Sequence, residues 1–319
     1  MFRIAPFAET HPELSAASWQ RLDDAREIER LLYVAHASVL ANEVFVASLW
    51  DDGGERLRGL ALAMAIEHKG ERWIALTRGF DVGKSVLVAR DEAATDVADE
   101  LFAGLREHAR RAGFHRLILA PTDVERQGVL SSAERAGFRL IETVGYELRL
   151  PPTDTFEAFV TRLNANQRKV LKRDLRLLTD DRFEFVEESP PTRETLEQSW
   201  PLYLALLARK GVPLGFRGNF LVELARRAPP DALSFVRCMA GQRQVGFAIG
   251  VHEGESVVFN PVAVAGDIDA PLFPAIGAFW LRGVIDRGTR TVFLGQYNDV
   301  WKRRLGATPI PYRYGFLRL

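Results

Sequence analysis

The stretch Phe293–Tyr312, FLGQYNDVWKRRLGATPIPY, decides how the chain is read. TVFLGQ reads as a buried strand and NDVWKRRLGA as a helical turn stopped by Gly306. PYRYGFLRL then closes as a strand. The first half holds the same order. HRLILAP is a short strand, DVERQGVLSSAERAG a helix ending at Gly137, and FRLIETVGYELRLP a final strand pair. Open α/β sheets place ligands just past the C-terminal edge of a strand, where Gln296, Tyr297 and Asn298 fall. Lys302 follows with Arg303 and Arg304. A lysine there suits an oxyanion or a phosphate; three cations at a helix C-terminus also suit the helix dipole alone.

Outward from this stretch, each half runs through one programme. The first opens on the strand FRIAPF and two helices over 12–41. Four strands follow (EVFVASLW, LRGLALAMAIEH, RWIALTRG, KSVLVARD), then the amphipathic helix ATDVADELFAGLREHARRAG. The second has FEFVEE as a strand, helices TRETLEQSW and YLALLARKG interrupted by Pro201, and the helix NFLVELARRA. A meander over 233–266 and the helix APLFPAIGAFWLRGVIDRG complete it. The expected class is α/β (α+β), each half a mixed, mostly antiparallel sheet with helices on both faces. PPTDT, Pro151–Thr155, marks the boundary between domains 1–150 and 151–319.

Composition excludes several functions. Lys plus Arg and Asp plus Glu both total 42, so a non-specific nucleic-acid coat is not expected. The single cysteine, Cys238, forms no intramolecular disulfide and reads as a small buried hydrophobe. The six histidines lack metal-ligand spacing, so no metal is expected, and no GxSxG elbow is present. GFDVGKS (Gly79–Ser85) is one residue short of a P-loop and reads as a turn. The N-terminus lacks a signal-peptide pattern and no apolar run reaches the ~20 residues of a membrane span, so a cytoplasmic protein is expected.

Against this balance, LNANQRKVLKRDLRLL (Leu163–Leu178) concentrates charge. At 100° per residue, Arg168, Lys169, Lys172, Arg173 and Arg176 share an arc of about 140°. The leucines and Val170 lie opposite, with Asp174 away from the cations. Such a face fits solvent, an anionic membrane surface or an RNA backbone. A membrane suits it least, because the apolar side has no Trp or Phe to insert. Arg217, Arg303 and Arg304 would extend an RNA track.

The pattern strand–GxY–xxx–WKxxLGA–x–P around Lys302 resembles the C-terminal signature of the Fem-type aminoacyl/acyl transferases, a tandem-GNAT group. The cations Arg168, Lys169, Lys172 and Arg173 resemble the basic helix at the start of that group's second domain. Ala120–Leu150 resembles the closing half of a GNAT domain. The resemblance implies two tandem GNAT-like domains and N-acyl transfer to an amine. It implies aminoacyl-tRNA as donor, no bound cofactor, and a transfer role for Lys302. Gln296, Tyr297, Asn298, Asn260 and Tyr203 are the expected substrate-binding residues. The acceptor would be an amine-bearing small molecule or peptide.

CoA-dependent GNAT domains carry a Gly-rich loop whose backbone N–H groups cradle a pyrophosphate. The matching places here are ARDEAATD (Ala89–Asp96), with three acids and no glycine, and AGDIDAPLFP (Ala265–Pro274), with one glycine, two Asp and two Pro. Neither suits pyrophosphate. A CoA-thioester-dependent N-acyltransferase and a non-catalytic tandem-GNAT binding protein remain the alternatives.

Overall fold

The computed structural model describes residues 1–23, 27–76, 86–151, 155–212, 214–259, 261–296 and 299–319. In the first half the order is β1 (Phe2–Pro6), α1 (Ala16–Trp19), α2 (Glu27–Val39), β2 (Val44–Trp50), β3 (Leu57–His68), β4 (Glu71–Leu76) and β5 (Val86–Val88). Then come α3 (Ala94–Arg111), β6 (Arg116–Asp123), α4 (Gln127–Arg135) and β7 (Arg139–Arg149). The second half runs α5 (Phe156–Arg162), α6 (Ala165–Leu175), β8 (Glu184–Glu187), α7 (Arg193–Arg209), α8 (Phe220–Arg227), β9 (Leu233–Ala240) and β10 (Arg243–Glu253). It ends with β11 (Ser256–Phe259), β12 (Val262–Val264), α9 (Leu272–Asp286), β13 (Thr291–Gly295), α10 (Asp299–Arg304) and β14 (Thr308–Arg318). The chain forms two compact units. Unit 1 is Met1–Val144, Pro213–Gly218 and Ile310–Leu319; unit 2 is Gly145–Val212 and Asn219–Pro309.

In unit 1, β2 and β3 show the period-two logic of a sheet buried on both faces. Phe45, Ala47, Leu49, Ala61 and Ala63 pack with α3. Their neighbours Val44, Val46, Leu60, Leu62 and Met64 pack with Tyr33, Val34 and Ala37 of α2. β3 pairs antiparallel with β4 along its second part and with β5 along its first, and β4 runs parallel to β6. The mixed, mostly antiparallel sheet with helices on both faces is therefore present. Gly215–Arg217 return to this unit, the Gly215 carbonyl accepting from Ala41 N–H and Arg217 N–H donating to the Val39 carbonyl.

Unit 2 repeats the arrangement. β10 pairs with β11 at Val251–Glu253 and with β12 at Gly246–Ala248, while β11 runs parallel to β13. α9 packs on one face with Val236, Cys238, Val245 and Ala248. Burial raises the Cys238 thiol to about 12, so it is a neutral core residue.

The closing strands are exchanged. β14 pairs antiparallel with β6 in unit 1, and the second half of β7 pairs antiparallel with β13 in unit 2, with Gly295 opposite Tyr146. The compact units therefore divide the chain at Val144/Gly145, whereas the linker-based division falls at 150/151.

Three local expectations are corrected. The strand pair expected over 138–151 is one strand, β7, because the residues around Gly145 continue extended rather than turn. Pro201 does not interrupt the helix. α7 runs through it, losing only the N–H that proline lacks. The basic helix does not run from 163 to 178. Asn164 caps it, its side chain accepting from Gln167 N–H while Gln167 returns the bond to the Asn164 N–H. After Leu175 the chain tightens into a 3₁₀ turn over Arg176–Thr179.

Candidate active site

The site forms at the C-terminal end of β13 in unit 2. Trp301 anchors the short helix α10. Its ring meets Phe273 of α9 edge-on at 5.3 Å between centroids and lies over Gly277. A Cβ on Gly277 would come within 2.6 Å of that ring, so glycine makes the approach possible. With Trp301 fixed, Lys302 turns inward and is only 2% exposed. Its ammonium donates to the Gly295 carbonyl at 2.6 Å and lies 5.4 Å from the centroid of the Tyr146 ring. The Gly295 backbone is left-handed, with φ of 72°. An ammonium held this way is paired with a dipole and a π face, both of which keep a buried charge tolerable.

Gln296 follows directly. Its amide nitrogen is buried and has no hydrogen-bond partner among the described residues. A buried donor left unmade costs about 1–3 kcal/mol, so this one calls for a partner. A buried ammonium and an unused amide donor thus flank one strand end.

The basic helix reaches the same place. Gln167 Nε2 donates to the Arg303 carbonyl at 2.8 Å, and Leu163 packs against Gly306. Arg303 and Arg304 are exposed on α10. The five cations of the helix are not equivalent. Arg168 is spent on the carbonyls of Thr161 and Leu163. Arg173 pairs with Asp174 at 2.9 Å. Asp174 is 4% exposed, so it does not lie free opposite the cations as the wheel implied; it is folded in beneath Arg173. Lys169, Lys172 and Arg176 are exposed.

The other expected residues separate. Tyr203 is buried in the α7–α8 contact, stacked on Trp200 at 5.7 Å and tilted against Phe220, which is a packing environment. Arg217 belongs to unit 1, where its Nε donates to the Leu40 carbonyl at 2.8 Å. Tyr297, Asn298, Asn260 and the GFDVGKS segment lie outside the described residues. No cluster of metal-ligating side chains occurs among the described residues.

Sequence reading passed over Tyr146. It is fully buried, and its hydroxyl accepts from Arg303 Nε at 3.0 Å. In a strand of alternating residues it looks like any core aromatic, and its partner lies 157 residues away.

The loops before α3 and α9 are closed by their own charges. Arg56, just before β3, pairs with Asp91 and Glu92, and Arg58 pairs with Glu92 and Glu100. At the matching place in unit 2, Arg243 at the start of β10 makes a two-pronged pair with Asp267, at 2.7 and 3.0 Å. A separate cavity of about 430 Å³, near the start of β13, is lined by Asp231, His252, Glu255, Arg287 and Thr289 and holds none of the expected residues.

Comparison with known proteins supports the fold. A tandem GNAT protein from the clavulanic acid biosynthesis pathway matches with a TM-score of 0.60 at 13% identity, covering 100% of this chain and 98% of that one. FemX matches with a TM-score of 0.55 at 8% identity, covering 98% and 96%. A domain assigned to a lysylphosphatidylglycerol synthetase of Agrobacterium fabrum matches with 0.57 at 12%, covering 91% and 87%. No protein-family model and no curated protein sequence matches. The chain therefore has the tandem GNAT fold. No described helix is long and apolar enough to cross a membrane.

Proposed function

We propose that the protein is an N-acyl transferase that takes an aminoacyl group from tRNA and joins it to an amine, with the chemistry in unit 2. One observation carries this reading: the buried Lys302 and the Gln296 amide, which has no partner among the described residues, lie near one strand end, Lys302 on the short helix to which the basic helix is latched. Two others support it. The acids of the loops where a GNAT domain would hold CoA, Asp91, Glu92 and Asp267, disfavour a pyrophosphate there. The fold is shared with FemX and with a domain assigned to a lysylphosphatidylglycerol synthetase.

An aminoacyl ester is already activated, so the protein needs no nucleophile of its own. The acceptor nitrogen attacks the ester carbonyl carbon and the C–N bond forms. The ester C–O bond then breaks, and the proton lost by nitrogen ends on the departing ribose oxygen. Lys302 donates to the oxyanion as it develops, and Gln296 orients the carbonyl or the amine. Unit 2 holds the RNA phosphates on Lys169, Lys172, Arg176, Arg303 and Arg304, which position without reading sequence.

The test is transfer of label. tRNA charged with a mixture of radiolabelled amino acids is incubated with the protein and a pool of amine-bearing acceptors. Radioactivity should move from RNA into an alkali-stable product, and Lys302→Met should abolish the movement. Transfer from acetyl-CoA but not from charged tRNA would overturn the reading.

A further inference from the structure

Arg303 is held at its stem while the residue stays exposed. Its Nε is fixed on the Tyr146 hydroxyl at 3.0 Å, its guanidinium lies 5.8 Å from the centroid of the same ring, and the residue is exposed. Among the described residues the fork itself makes no hydrogen bond, and Asp299 is the carboxylate near enough to act on its charge. The backbone of Arg303 is also held, through Gln167 Nε2 on its carbonyl. A guanidinium with its stem fixed and its fork open loses little freedom on binding, and the fork matches the geometry of a phosphate.

Tyr146 does a second thing. The face of its ring holds the Lys302 ammonium. One fully buried side chain therefore fixes an inward cation through its π face and an outward cation through its hydroxyl. Gly295, whose carbonyl accepts the Lys302 hydrogen bond, lies opposite Tyr146 in the strand register. The distance between the outward fork and the inward ammonium is thus set by one rigid ring.

We infer that Arg303 is the seat for the donor phosphate nearest the reacting ester, and that Tyr146 is the positioning residue that holds this seat in register with Lys302. The inference rests on the tRNA reading above. It separates Arg303 from Lys169, Lys172 and Arg176, which hold phosphates farther along the RNA.

The test uses fluorescent RNA minihelices with and without a single-stranded 3′ tail, titrated into wild type, Tyr146→Phe, Arg303→Gln, the double variant, and a Lys169→Gln/Lys172→Gln/Arg176→Gln triple variant. Tyr146→Phe keeps the ring and removes only the hydroxyl. It should bind the tailed RNA roughly 3–10-fold more weakly, as the net loss of one ordinary hydrogen bond implies, and the tail-less RNA unchanged. Arg303→Gln should behave alike, and the double variant should be no worse than Arg303→Gln alone. The triple variant should weaken both RNAs. A purely structural role for Tyr146 would lower affinity for both RNAs equally, which overturns the inference. If the triple variant loses binding while Tyr146→Phe and Arg303→Gln bind the tailed RNA like wild type, the tRNA reading stands and the inference fails. If wild type binds neither RNA, both fail.

Discussion

The two units meet the same structural problem at the same place and solve it differently. Each carries a broken strand beside a parallel one, then a short helix with a cation near the strand end. In unit 1 the cation is Arg126, at the start of α4, and it donates to the Val86 carbonyl of the neighbouring β5. In unit 2 it is Lys302, inside α10, donating to the terminal carbonyl of β13 beside an amide with no partner among the described residues. Unit 1 ties its strands together with the cation. Unit 2 keeps the cation and a second donor at the strand end. The same fold thus gives one unit whose cation bonds a carbonyl of another strand and one whose cation bonds the end of the strand before it.

The largest expected difference comes from replacing the two cations. Lys302→Met should lower the transfer rate by roughly 10²–10³-fold, the usual loss for one oxyanion donor, while RNA affinity stays within about twofold of wild type. Arg126→Met should instead cost about 1.5–3 kcal/mol of stability in a denaturant titration, with transfer little changed. Equal losses of rate and affinity in Lys302→Met would reduce Lys302 to a binding residue.

The helices α3 and α9 offer a second contrast. A Cβ on Gly104 would meet the Phe2 ring at 2.6 Å, and one on Gly277 would meet the Trp301 ring at 2.6 Å. Both alanine variants should lose about 1–3 kcal/mol by overpacking. Only Gly277→Ala should also lower transfer, because only it displaces the helix that carries Lys302. Thermal unfolding beside the transfer assay checks this.

Acid should act on both units. Burial lowers His36 to about 3 in unit 1. Burial, with a smaller contribution from Arg287, lowers His252 to about 4 in unit 2. Both imidazoles are neutral in the folded chain and take up protons more readily when it unfolds. Stability is therefore full above the ordinary value of 6.5 and falls as pH drops toward 4. For His252 the loss at pH 5 is about 2 kcal/mol by linkage. His252→Asn should flatten the slope of denaturant stability against pH between 6.5 and 4. An unchanged slope would mean that His252 is protonated in the folded state.

The smallest expected effect separates neighbours on α6. Lys172→Gln should lower the slope of log affinity against log salt by about 0.7–0.9. Arg173→Gln should lower it less, since Asp174 already pairs with that guanidinium.

Much of this was legible in the sequence. Alternating strands, glycine-stopped helices and the repeated order announced the fold, and the position of Lys302 after a strand end pointed to the candidate site proposed here. The exchange of β7 and β14 was not legible, because strand pairing is non-local and both closing strands carry similar alternation. The cationic face was legible as a set of residues but not as a set of free charges. Asp174 looks remote on a wheel, yet it is drawn in under Arg173. Tyr146 was invisible for the same reason: its partners come from the far end of the chain.

The most direct test of the account is the affinity of the purified protein for bulk aminoacylated tRNA across a salt series, with CoA as competitor. The account predicts that log affinity falls linearly with log salt, that removing Lys169, Lys172 and Arg176 flattens the line, and that CoA does not compete. No binding at low salt, or displacement of the RNA by CoA, would contradict it.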